Sequence, residues 1–321
     1  MDNKELFLPI LRDGKYGFVD KEGNVIVRPK FKYVSERLKD GYSVITYIKK
    51  IRGINRWIFG YIDKLGNTKV YLHIDSISDF NEGLSRAKAY NKYGYLDKNL
   101  DLAIDFKYEC AGDFSEGLAN IKINKRWGYI NSNGEVIIAP KYTYANQFKD
   151  NTSLVEYKNK YGYINRKGEF IIKPTYEIAT DFSEGLAAVR NNNKWGYIDK
   201  YGKLKIDFKF DKAKPFSEGL AAVCINEKWG YINKNGDVVI DAIFDYACSF
   251  KEGLGRFNID TNSLIRGINN NKCGKWGFIN KSGDIEILPI YESLSDFKDG
   301  YSEIINGKNN NYIDKYGKLL L

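Results

Sequence analysis

Phe182-Ser183-Glu184-Gly185-Leu186-Ala187 and, a few residues on, Lys194-Trp195-Gly196-Tyr197-Ile198-Asp199-Lys200-Tyr201-Gly202 are the stretch whose reading decides the fold. Residues 185–190 alternate weakly and lead through Asn191, Asn192 and Asn193 into Lys194–Asp199. That is a β-hairpin pattern, because asparagine tolerates the positive φ that tight hairpin turns demand. In the second strand Trp195, Tyr197 and Asp199 point to one face, Gly196 and Ile198 to the other. The glycine lets a neighbouring strand or ring come close.

Working outward, the aromatic–glycine pair recurs at Gly17, Gly60, Gly94, Gly128, Gly162, Gly196, Gly230 and Gly277, with a degenerate copy at Asn311. The intervals are 43, 34, 34, 34, 34, 34, 47 and 34. A period of 34 with two insertions means one supersecondary unit copied nine times, a single repeat domain over 1–321 with no separate catalytic domain. The repeat positions that define it best are Trp127-Gly128, Trp195-Gly196, Trp229-Gly230 and Trp276-Gly277.

Lys194–Lys200 with Gly202, and Phe182–Ala187, resemble the unit of the bacterial WG-repeat family. The resemblance covers nearly the whole chain. It implies a binding or scaffolding array and brings no catalytic residue with it.

The rest of the unit reads as β-structure. Asp or Asn opens a turn three residues before a glycine, as in Asn131 with Gly134 and Asp199 with Gly202; the third copy has Leu100 instead. Val136-Ile137-Ile138, Phe170-Ile171-Ile172 and Val238-Val239-Ile240 are continuous apolar runs, which predicts third strands buried on both faces. Pro29, Pro140, Pro174 and Pro289 follow, where proline should end ladder pairing. Two aromatic columns come next, one through Phe31, Tyr108, Tyr142 and Phe210, the other through Phe80, Phe114, Phe148 and Phe216, with a short irregular segment expected between them. Large rings in the same register of every copy read as core packing between units rather than as ligand-stacking platforms.

Three strands per 34 residues is lean for a propeller blade. The expectation is therefore an all-β array of three-strand antiparallel units in a curved, solenoid-like stack, the alternative being a closed, propeller-like toroid. Terminal apolar strands, Leu6–Leu11 and Leu319–Leu321, would then pair with each other, with another copy of the chain, or with a partner.

Composition narrows the function. With 321 residues, 43% hydrophobic and 28% charged, the chain folds, and its net charge of +9 permits an acidic partner without naming one. A single histidine, His73, removes most chemistry that needs imidazole as base or ligand. Cys110, Cys224, Cys248 and Cys273 lack CxxC spacing and read as reduced packing residues. No stretch has the length of a membrane span and no signal peptide is evident, so a cytoplasmic protein without membrane insertion is expected.

An acidic column, Asp40, Glu82, Glu116, Asp150, Glu184, Glu218, Glu252 and Asp299, invites a calcium reading. The second carboxylates three residues upstream are missing beside Gln147, Pro215 and Ser249, so acceptance of turn amides is the better reading and no metal or other cofactor is expected. Paired carboxylates for glycoside hydrolysis do not stand out from the regular columns either.

Symmetry breaking is where function is expected in a repeat array. The insertion within 45–59 carries Tyr47, Lys49, Lys50, Arg52, Arg56 and Trp57; that within 258–275 carries Arg266 and Lys272. Basic residues with aromatics suit a protein hot spot, and equally a nucleic-acid backbone with stacked bases. The expected function is non-catalytic protein binding and scaffolding, with nucleic-acid binding through the basic hairpin as first alternative and glycan or cell-wall binding as second.

Overall fold

The computed structural model describes residues 8–20, 23–35, 38–259, 274–305 and 311–320. Among them there is no helix, and none therefore long and apolar enough to cross a membrane. The strands form nine small antiparallel sheets in chain order; the first and last have three strands and the seven between have four. By contacts the chain divides into two compact units, residues 1–159 with 163–170, and residues 160–162 with 171–321.

The fourth sheet shows the plan: Cys110–Ala111, Leu118–Ile123, Arg126–Asn131 and Val136–Tyr142, each paired with the next. The unit thus has four strands rather than three. The segment between the aromatic columns is not irregular; it holds a two-residue strand, here Cys110–Ala111 paired with Lys122 and Ile121, that opens the next sheet. Because this strand is so short, four fit into 34 residues.

The expected three-strand, solenoid-like unit gives way to a four-stranded blade of the propeller type. Each hydrogen-bonded ladder ends with its own sheet, and neighbouring sheets within a unit meet through side chains, as four-stranded propeller blades do.

The hairpin turns follow the sequence. Asn124 and Lys125, and Asn192 and Asn193, all have φ between 47° and 62°, the pair of left-handed residues that a two-residue turn between right-twisted strands requires. The repeat glycine is explained by the third strand. A Cβ on Gly128 would lie 2.4 Å from the Ile138 carbonyl oxygen and 2.7 Å from the Pro140 nitrogen.

Two expectations about the third strand fail. Pro140 does not end pairing: it sits inside Val136–Tyr142, where the register shifts between Tyr129↔Ile138 and Trp127↔Tyr142, and the ladder resumes beyond it. A bulge needs no proline N–H, so the residue is tolerated there. Nor are both faces of the apolar run buried. Val136 and Ile137 are about half exposed and only Ile138 is buried, because this strand is the last of its sheet and only Ile138 packs on the next sheet's turn, beneath Gly168.

The core lies between sheets. In the first unit Tyr129, Ile138 and Tyr142 pack with Phe148, Val155 and Ile164; in the second Tyr197, Ile206 and Phe210 pack with Phe216, Val223 and Ile232. Tyr95–Phe114, Tyr129–Phe148, Tyr197–Phe216 and Tyr231–Phe250 repeat one ring contact at 4.8–4.9 Å between centroids. Each of these tyrosines donates its hydroxyl hydrogen to a carbonyl 17 residues on, at 2.7–2.8 Å: Gly112, Asn146, Lys214 and Cys248. A buried phenol so paired avoids the penalty of an unsatisfied donor, and burial pushes Tyr95, Tyr197 and Tyr231 far above the ordinary phenol range.

Candidate functional site

The acidic column acts on the next repeat. Glu82 accepts hydrogen bonds from the amides of Glu116 and Gly117, Glu116 from Asn151, Glu184 from Gly219, Glu218 from Gly253 and Glu252 from Gly300. A lysine of the following sheet completes several of these contacts: Lys98 with Asp40, Lys234 with Glu184, Lys281 with Glu218 and Lys315 with Glu252, at 3.0–3.4 Å. Partial burial pushes the Glu184 carboxyl up, but the Lys234 ammonium and the Gly219 amide outweigh it and hold the group below its ordinary value. For Glu252 the Lys315 hydrogen bond leads in the same direction. Of the second carboxylates, Asp113 and Asp296 pair with Arg86 and Arg256. Among the described residues no group of three or more His, Cys, Asp or Glu side chains could hold a metal ion. Cys110, Cys224 and Cys248 are free thiols, and burial raises that of Cys224; Cys273 lies outside the described residues.

The first insertion is a ribbon rather than a loop. Tyr42–Ile51 pairs with Ile54–Asp63 in unbroken register as far as Ile51↔Ile54, closed by Arg52 and Gly53 at φ 48° and 80°. Eight of the nine extra residues are here, since Asp40 to Gly60 spans 20 positions against 12 from Glu184 to Gly196. Four added residues per strand preserve the alternation of faces. Tyr47, Lys49, Arg56 and Ile58 share one face; Ile48, Lys50, Asn55 and Trp57 share the other.

The ribbon residues therefore divide. Tyr47 is half-buried, its ring 6.3 Å from that of Phe31 and packed on the core of the first two sheets, so it anchors the ribbon. Lys49, Lys50, Arg52 and Arg56 are exposed, and among the described residues none has a carboxylate within ion-pair distance. Trp57 is 54% exposed and Ile48, opposite it, 42%. Arg266 and Lys272, with the second insertion, lie outside the described residues.

Below the ribbon the second sheet departs from the repeat in a way the insertion alone does not explain. Its third strand, Thr68–Tyr71, has four residues where its counterparts in all but the last sheet have seven, and it pairs from Phe59↔Tyr71 to Ile62↔Thr68 with no bulge. Tyr71 thus faces Phe59 as Tyr142 faces Trp127, three positions early in the repeat. Its hydroxyl donates to the Leu100 carbonyl at 2.7 Å. Leu100 itself, at φ 65°, holds the turn position that glycine has elsewhere while burying its side chain.

The skipped bulge leaves Leu72, His73 and Ile74 in a connection where other copies place an aromatic at the position of Ile74, four of them with proline at the position of Leu72. Leu72 is 54% exposed and His73 is exposed, while Ile74 is buried. Beside them stands Tyr90, 78% exposed at φ 52°, in the turn position of Asn124, Asn192 and Asn226. A bulky aromatic in the left-handed region carries a backbone cost that an asparagine largely avoids.

Two adjoining open clefts result, each of about 520–530 Å³. One runs under the ribbon past Arg56, Trp57, His73 and Asp75; the other is walled by Val70, Leu100, Leu102 and Phe106; Leu72 and Tyr90 line both. Reading the sequence for insertions finds Arg56 and Trp57 but misses Leu72, His73 and Tyr90. The signal that marks the stretch is a loss, the missing aromatic at 74; proline and asparagine are absent from the equivalent positions of other copies as well, as Phe106 and Lys158 show.

The fold and surface define an all-β repeat protein of propeller-type blades, an architecture suited to binding and scaffolding. The family model described as "WG containing repeat" matches residues 16–46, 59–93, 93–127, 127–161, 161–195, 195–229, 229–260 and 276–312, and the chain belongs to that family. No curated protein matches the sequence. Among solved structures the chain is similar to an extracellular domain of a hybrid two component system from B. thetaiotaomicron, at 9% identity and a TM-score of 0.31, covering 100% of this chain and 53% of that one. It is also similar to Hsv2p of Kluyveromyces lactis, at 7% identity and a TM-score of 0.42 over 89% and 93% of the two chains. The acylaminoacyl peptidase of Pyrococcus horikoshii gives 9% and 0.37 over 87% and 56%. The chain spans about half the length of the B. thetaiotaomicron domain, and likenesses this low carry no argument about function.

Proposed function

We propose that the chain is a non-catalytic scaffold that captures a protein partner through the ribbon of the second sheet. The observation that carries this reading is the ribbon itself. It is a regular, fully paired extension whose four cations, Lys49, Lys50, Arg52 and Arg56, have no acidic partner among the described residues, beside an exposed tryptophan. Rigid presentation lowers the ordering cost of binding, and unpaired cations steer an acidic surface towards the tryptophan. The regular carboxylates, engaged with turn amides and lysines, are structural.

The test is affinity capture from lysate of the native organism, with and without nuclease, using the native chain and a variant with Lys49, Lys50, Arg52 and Arg56 all replaced by Ser. A defined protein that survives nuclease and is lost with the variant is the expected result. Equal capture by both chains overturns the reading. Retention that disappears with nuclease and falls steeply with salt replaces it with nucleic-acid binding.

A further inference from the structure

We infer that the paired clefts between the second and third sheets are a docking site for an acidic protein segment carrying one bulky apolar side chain. The inference deepens the scaffold reading and rests on it, but the residues that decide it, Leu72 and Tyr90, lie outside the ribbon.

The site exists because three features of the repeat are lost together. The missing bulge shortens the third strand of the second sheet to Thr68–Tyr71. The residues released, Leu72 and His73, are exposed instead of entering the ladder. Tyr90 occupies a left-handed turn position that asparagine fills in the fourth, sixth and seventh sheets and Lys158 in the fifth, and holds its ring in solvent. Each departure costs stability or leaves apolar surface in water, and all three line one place.

Its chemistry specifies the occupant. One cleft is mostly apolar, walled by Val70, Leu72, Leu100, Leu102 and Phe106 with the Lys69–Asp101 ion pair at its rim, and of a size to take a large aliphatic or aromatic side chain. The other cleft opens beside Arg56 and Trp57 at the base of the ribbon, with Asp75 at its far side. A segment with an apolar anchor in the first-named cleft would lay its flanking residues along Arg56 at the rim and Lys50 on the Trp57 face of the ribbon, where carboxylates complement the charge. A neutral sugar would match the exposed rings but neither the apolar wall nor the cations; a nucleic acid would match the cations but not the apolar wall.

The test uses random twelve-residue peptides displayed on phage and selected on the full chain at physiological ionic strength, with a charged-glycan array alongside. Enriched peptides are then synthesised with a fluorescein label and measured by anisotropy. The expected result is enrichment of peptides with two or more Asp or Glu residues flanking a Phe, Leu, Ile or Trp, each losing tenfold or more in affinity with Leu72→Asp. Tyr90→Asn serves as the second variant. It gives the turn the residue used elsewhere, so thermal stability should hold or rise while affinity falls at least fivefold.

Peptides that bind both variants as they bind the native chain overturn the cleft. If those peptides still lose affinity when the four ribbon cations are replaced by Ser, the ribbon scaffold stands without it. No enrichment, enrichment without acidic residues, or glycan binding abolished by the same variants also overturns the proposal.

Discussion

Glu82 accepts a hydrogen bond from the backbone amide of Gly117 at 2.8 Å, across 35 residues of sequence and from one sheet to the next. The same contact joins Glu184 to Gly219 and Glu218 to Gly253. The glycine's left-handed turn, φ 77° at Gly117, presents the amide, and the carboxylate one repeat earlier receives it. A column that resembles a ligand set in the sequence is thus a chain of latches between neighbouring sheets.

These latches make stability depend on acid pH. Glu184 titrates below its ordinary value of 4.5 in the folded protein, and Glu252 does the same. A carboxylate so held contributes its stability in full above that value and loses it as the pH falls through the lower folded one. Glu184→Gln should cost about 0.5–1 kcal/mol at neutral pH, with solvent screening keeping the figure small. Urea midpoints should show the difference between variant and native chain at pH 7 and its disappearance towards pH 3.

The glycine of the aromatic–glycine pair is fixed by backbone. Gly128→Ala would put a methyl group 2.4 Å from the Ile138 carbonyl and 2.7 Å from the Pro140 nitrogen, atoms that cannot rotate away. The ladder must open, and a loss of roughly 3 kcal/mol or more, or failure to fold, is expected. Pro140→Ala leaves the bulge without a lost ladder bond and should cost under about 1 kcal/mol. Equilibrium unfolding of the two variants checks the contrast.

The tyrosine hydroxyls predict alkaline behaviour. Burial pushes Tyr142 up to about 12, and Tyr95, Tyr197 and Tyr231 higher still. Since their unfolded forms ionise near 10, these groups favour the native state in full below that pH and withdraw the contribution as it rises. Phenolate absorbance should rise in two stages, the second coinciding with loss of β-sheet circular dichroism. Tyr197→Phe leaves the Lys214 carbonyl without its donor and should cost about 1–2 kcal/mol.

The sequence makes the unit legible because local chemistry fixes it. Asn124 and Asn192 mark the hairpin turns, Gly128 marks close backbone approach, and Phe148 and Phe216 mark contacts between sheets. The fourth strand escapes such a reading, since Cys110–Ala111 is two residues long, too short for any period to show. The role of Pro140 is misleading for a related reason: a bulge is a relation between two strands, and only the paired register reveals it. In the candidate site Arg56 and Trp57 are visible as insertions. Leu72 and Tyr90 are ordinary residues made significant by the register of Thr68–Tyr71, which sequence does not display.

The ribbon should be separable from the fold. Tyr47 and Ile58 are paired and face the core, whereas Ile48–Lys50 and Arg52–Trp57 are all exposed beyond them. Replacing residues 48–57 by Asn-Gly removes eight residues and leaves Tyr47 and Ile58 flanking a two-residue turn, as Asn191 and Lys194 do in the sixth sheet. No buried side chain is lost, so the urea midpoint should correspond to within about 1 kcal/mol of the native chain. Partner capture should disappear. A shortened chain that unfolds readily would show instead that the ribbon stabilises the second sheet, and one that still captures the partner would move the contact elsewhere on the repeat surface.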